Sequence, residues 1–110
     1  IKNYMKETEL YVKSGAFDRV EQATKKAMSQ ANAREREEIK ISVKMFYKEQ
    51  AKACESELRR AQAVRFYEKI LEMGISEQEK AEISEKLLDL YKKLGKLHEY
   101  SLLEKRIQKL

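Results

Sequence analysis

The sequence predicts an all-α fold of three antiparallel helical hairpins, and three observations lead there. Charged residues make up 39% and hydrophobic residues 42% of the 110 positions, with no proline and three glycines. That is the composition of long amphipathic helices, not of disorder. Apolar residues recur at helical spacing, and no stretch alternates with period two for long enough to be a strand. The sparse punctuation falls where helices end.

Six helices are expected, near 1–14, 17–31, 33–57, 60–73, 77–94 and 97–109. Gly15, Gly74 and Gly95 each follow a periodic apolar stretch, where a left-handed helix cap favours glycine. Asn32 with Glu35, and Ser76 with Glu79, have the spacing of capping boxes that open new helices. On the third helix Val43, Phe46, Tyr47, Gln50, Ala51, Cys54 and Leu58 fall on one face. Ile83, Leu87, Leu90, Tyr91 and Leu94 do the same on the fifth, and such a stripe buries one side of a helix. Connections of two to four residues make consecutive helices antiparallel hairpins, over 1–31, 33–73 and 77–109. At this length one domain is expected, with about two thirds of the unfolded surface buried. The chain starts at Ile1, already inside a helical pattern and without an initiator Met, and is expected to be a piece of a longer protein.

The net charge of +5 is spread along the chain. Residues 1–33 carry six basic and four acidic side chains, 34–57 six and six, 58–75 four and two, and 76–110 eight and seven. No segment is an electropositive block, so the balance favours solubility over a phosphate-binding stripe. Cys54 is the only cysteine, which excludes an intrachain disulfide and a multi-cysteine zinc site and fits the reducing cytoplasm. No apolar run approaches the roughly 20 residues that span a bilayer.

Internal similarity follows. Tyr11, Gly15, Phe17 and Val20 match Tyr91, Gly95, Leu97 and Tyr100 at a shift of 80 residues. Between them lies Tyr47, Ala51 and Cys54, followed by Ala63, Tyr67, Ile70 and Leu71. Together with Ala27, Met28, Leu87 and Leu88, these residues resemble the signature of the tetratricopeptide repeat family. The resemblance covers nearly the whole chain and implies three hairpins stacked as a short right-handed solenoid. Two features depart from it: the shifts are about 43 and then 37 residues where the family repeats every 34 or so, and the terminal proline of each repeat is missing. The packing reason for these residue types is plain. Small residues let helices approach, aromatic ones fill the space between hairpins, and one hairpin cannot cover its own apolar face.

Nothing in the sequence assembles a catalytic, cofactor or metal site. His98 is the only histidine and lacks partners for base catalysis or ligation. Cys54 sits among alanines on an apolar face and reads as a buried small hydrophobe, not a reactive thiolate. There is no phosphate-binding glycine loop and no nucleophile elbow. One charge pattern is unusual: Arg36, Lys40, Lys44, Lys48 and Lys52 stand four apart, where like charges oppose each other by a few tenths of a kcal/mol per pair. Neighbouring acids on the third and fifth helices are expected to neutralise the row, although an anionic partner would also suit it.

The function expected is a non-catalytic adaptor or scaffold that binds another protein, as a peptide or amphipathic helix. The resemblance implies that the first helix of each hairpin lines a concave groove. That gives Met5, Glu9 and Val12 from the first hairpin, Ile41, Met45, Lys48 and Lys52 from the second, and Glu82, Glu85, Asp89 and Lys92 from the third. Chaperone-binding relatives hold a C-terminal carboxylate with Lys and Asn in that groove. Here Met5, Glu9, Glu49 and Glu82 stand at four of those positions and only Lys86 matches, so no such clamp is expected. Leu102, Leu103, Ile107 and Leu110 put apolar residues on the outer side of the last helix, which calls for self-association or for further repeats there. Two alternatives belong to other classes. One is a nucleic-acid-binding domain that uses the basic row, and the other is an accessory domain of a larger enzyme.

Overall fold

The computed structural model describes residues 2–108, with side chains from 4 to 107. Among the described residues there are six helices and no strand: α1 (Lys2–Lys13), α2 (Phe17–Gln30), α3 (Ala33–Ser56), α4 (Arg60–Leu71), α5 (Glu77–Leu94) and α6 (Leu97–Gln108). The chain is all-helical, and its helix ends fall within two residues of those expected. Among the described residues no helix is long and apolar enough to cross a membrane.

The turns explain where the helices stop. Gly15 N–H donates to the Val12 carbonyl (3.0 Å) and Ala16 N–H to that of Tyr11 (2.9 Å). Leu58 N–H donates to Glu55 (3.0 Å) and Arg59 N–H to Cys54 (2.7 Å); Gly95 N–H donates to Lys92 (3.1 Å) and Lys96 N–H to Tyr91 (2.8 Å). Each is a Schellman closure that satisfies carbonyls left over at a helix end. The residue at its centre has a positive φ: 72° at Gly15, 60° at Leu58 and 71° at Gly95. One hydrogen-bond pattern therefore recurs at offsets of 43 and then 37 residues.

Two expectations are corrected here. Leu58 does not lie on the apolar face of α3; the helix has ended at Ser56, and Leu58 is 71% exposed in the left-handed turn. Gly74 does not adopt a left-handed φ. The segment after α4 closes instead through a right-handed Glu72, whose N–H is shared among the Glu68, Lys69 and Ile70 carbonyls.

The long helices carry side-chain caps. Asn32 and Glu35 form a reciprocal box, Glu35 N–H to Asn32 Oδ1 at 2.8 Å and Asn32 N–H to Glu35 Oε1 at 3.1 Å. Ser76 Oγ accepts from Glu79 N–H at 3.2 Å to open α5. By contrast α2 and α4 start from Ala16 and Arg59 with no side-chain cap, because the preceding turn already fixes the backbone.

Two compact units divide within α3, one up to Gln50 and one from Ala51 onward. In the first, α1 packs on α2, and Val12, Val20 and Ala27 are each 1% exposed. Phe17 meets Tyr47 of α3 with ring centroids 6.0 Å apart, and the Arg36 guanidinium donates to the Met28 carbonyl near the end of α2 at 3.1 Å. In the second unit, α5 packs against both α4 and α6. Its core holds Ala51, Ala63, Phe66, Tyr67, Ile70 and Leu87, each at most 1% exposed. A large apolar side chain buried to this degree stabilises by about 1.5–3 kcal/mol.

Candidate binding cleft

One concavity of the second unit lies between the α3–α4 turn and α5. Glu55, Leu58 and Arg60 form one wall; Glu82, Glu85, Lys86, Asp89, Leu90 and Lys93 form the other, around a volume of about 750 Å³. The Schellman turn creates the first wall, since a left-handed residue turns its side chain outward and leaves Leu58 bare. The period of α5 creates the second. Leu90, 4% exposed, belongs to the core stripe, and Glu82, Glu85, Lys86, Asp89 and Lys93 beside it are exposed.

The charges around this cleft are not equivalent. Asp89 Oδ2 is paired with Lys93 Nζ at 2.9 Å, and Lys86 Nζ lies 5.9 Å from the centre of the Tyr67 ring. Glu55 acts on Tyr67, whose buried hydroxyl has no hydrogen bond of ordinary geometry. Burial first, and then the Glu55 carboxylate, hold that phenol well above its ordinary range. Glu82 and Glu85 are exposed and have no ion pair among the described residues. The cleft thus combines an exposed leucine with four carboxylates and three cations, and Glu82 and Glu85 are the exposed carboxylates of α5 there without an ion pair among the described residues.

A second concavity of the same unit is walled by Leu71, Leu102 and Arg106, with Leu103 and Tyr91 among its lining. Tyr91 donates to Glu68 Oε2 at 2.6 Å. Burial, that bond and the nearby Glu99 raise its pKa above the ordinary value, with Arg106 opposing.

The expected groove residues fall into distinct groups. Glu82, Glu85 and Asp89 meet in the α5 cleft; Lys52 and Lys92 are exposed outside its lining. In the first unit Ile41 and Met45 are half exposed, at 50% and 52%, while Met5 and Glu9 are half-buried and Glu9 pairs with Lys13 at 3.2 Å. Val12 is a correction: at 1% exposed it is core, because its stripe faces α2. On α6, Leu102 and Ile107 are 51% and 39% exposed, whereas Leu103 is 7% exposed and unavailable to a partner. Leu110 lies outside the described residues.

The basic row on α3 is not a free comb of cations. Arg36 is used on the Met28 carbonyl, and Lys44 and Lys48 are half-buried and engaged. Arg36, Lys40 and Lys52 are exposed, and of these Arg36 is the one held by a hydrogen bond. Burial raises the Cys54 thiol pKa, with Arg59 opposing, which disfavours the nucleophilic thiolate. His98 is exposed, and among the described residues no three His, Cys, Asp or Glu side chains converge.

Leu58 and Glu55 line the cleft but are not among the expected groove residues. The signal was present: shifting Tyr11 and Gly15 by 43 positions lands on Cys54 and Leu58, which marks position 58 as a turn. Comparison with known proteins gave no match to any family model, curated protein or solved structure.

Proposed function

We propose that this chain is a non-catalytic protein-binding module, a divergent tetratricopeptide-like stack of three hairpins whose α5 cleft takes a helix or peptide from another protein. The observation that carries this reading is the pairing of an exposed Leu58 with the carboxylates of Glu82 and Glu85, which have no ion pair among the described residues and leave the cleft lining with one more acid than base. A pocket with an apolar contact and unbalanced negative charge suits a segment presenting a leucine-like side chain flanked by Lys or Arg. Support for the repeat comes from the three turns that share one closure. The spent cations of the α3 row count against a nucleic-acid reading.

Fluorescence anisotropy with a labelled Leu/Lys amphipathic helix, and with a Leu/Glu helix of the same length, tests it. Saturable binding is expected for the basic helix only, weakened about tenfold or more by Glu82→Lys with Glu85→Lys. Equal binding of both helices, or tight salt-dependent binding of oligonucleotides in their place, would displace this reading.

A further inference from the structure

We infer that copies of this chain associate head to tail, α1 of one copy docking on the outer face of α6 of the next. The inference rests on the equivalence of the three turns and is independent of the α5 cleft. That equivalence aligns Tyr11, Cys54 and Tyr91 through the bond each carbonyl accepts, and so assigns every position a counterpart 43 or 37 residues away.

Two contacts inside the chain show what covers the second helix of a hairpin. In the first unit Phe17 of α2, 8% exposed, is covered by Tyr47 of α3. In the second, Tyr67 of α4, 1% exposed, lies under Lys86 of α5. The counterparts of Phe17 and Tyr67 on α6 are Leu97 and Glu104, and both are exposed, Leu97 at 70%. The first helix of the next hairpin, which would cover them, has its own counterpart in α1. Tyr47 maps onto Tyr4, and Lys86 maps onto Lys6. Leu90, 4% exposed on α5, maps onto Leu10, which is 65% exposed.

The two ends are therefore complementary at two pairs of positions. Carrying the internal contacts across gives Leu97 against Tyr4 of the second copy, and Glu104 against its Lys6. One pair is apolar and the other opposite in charge, and among the described residues neither Lys6 nor Glu104 has an ion-pair partner. Such an interface continues the α2–α3 contact from one molecule to the next. Because head and tail are different surfaces, it does not close into a symmetric dimer and grows with concentration.

Sedimentation velocity of the 110-residue chain, up to about 1 mM, reads the outcome. A weight-average mass that climbs past the dimer without a plateau is expected. Leu97→Glu should hold the chain monomeric with its circular dichroism unchanged, since Leu97 is exposed. Lys6→Glu and Glu104→Lys should each weaken association about tenfold. The two variants mixed in equal amounts should restore it to within about twofold. A wild-type chain that stays monomeric, a mass that levels at the dimer, association that survives Leu97→Glu, or a mixture no stronger than its parts would each overturn the inference.

Discussion

At the scale of single residues, Leu58 would link stability to the proposed binding. A leucine at φ 60° carries a backbone cost of about 1 kcal/mol that glycine avoids, and both counterparts of this position are glycine. Leu58→Gly is expected to raise unfolding stability by about that amount in urea titration. The same change removes the apolar wall of the cleft and should weaken binding of the basic helix, so stability and affinity move in opposite directions. Tyr91 gives a second residue-scale expectation. Its folded pKa lies above the unfolded value of 10.0, so above that pH the unfolded chain has lost a proton that the folded chain retains. The stabilisation is complete below the unfolded pKa and declines as pH rises past it. Tyr91→Phe should cost about 1–2 kcal/mol at neutral pH through the lost bond to Glu68, and should flatten the fall in stability at alkaline pH, measured by denaturation across that range.

At the scale of elements, helix periods and caps were legible because they are local. The Asn32 box and the Ser76 cap stand where their spacing placed them, and α5 matches its expected ends at both residues. Asn32→Ala should destabilise by about 1 kcal/mol, readable as a lowered melting temperature. What escaped the sequence depended on facts beyond a single helix. Leu58 reads as the next apolar step of α3, and only the turn closure removes it from that face. Gly74 looks like Gly15 and Gly95, yet its segment is closed by a right-handed Glu72. Thr8 looks polar but is 0% exposed with an unpartnered hydroxyl, at the position where the second hairpin places Ala51. Val12 and Leu103 were assigned outward from angular position alone. A hairpin partner covers more of a helix than one stripe, and it buries both.

At the scale of the whole molecule, the sequence limits function chiefly by how its charges are used. A +5 chain suggests anionic partners, yet part of the α3 row goes to helix capping and internal contacts, while Glu82, Glu85 and Asp89 gather on one side of α5. Total charge says little about this; placement decides it. That Glu82, Glu85 and Asp89 share one side of a single helix was legible. Their opposite wall comes from a turn and was not. The most direct measurement is amide chemical-shift mapping of the labelled chain during titration with the Leu/Lys helix. The account predicts saturable shifts centred on Glu55, Leu58, Glu82, Glu85 and Asp89, with α1 and the Arg36–Lys52 row little changed. Shifts confined to that basic row, or none at saturating peptide, would contradict it.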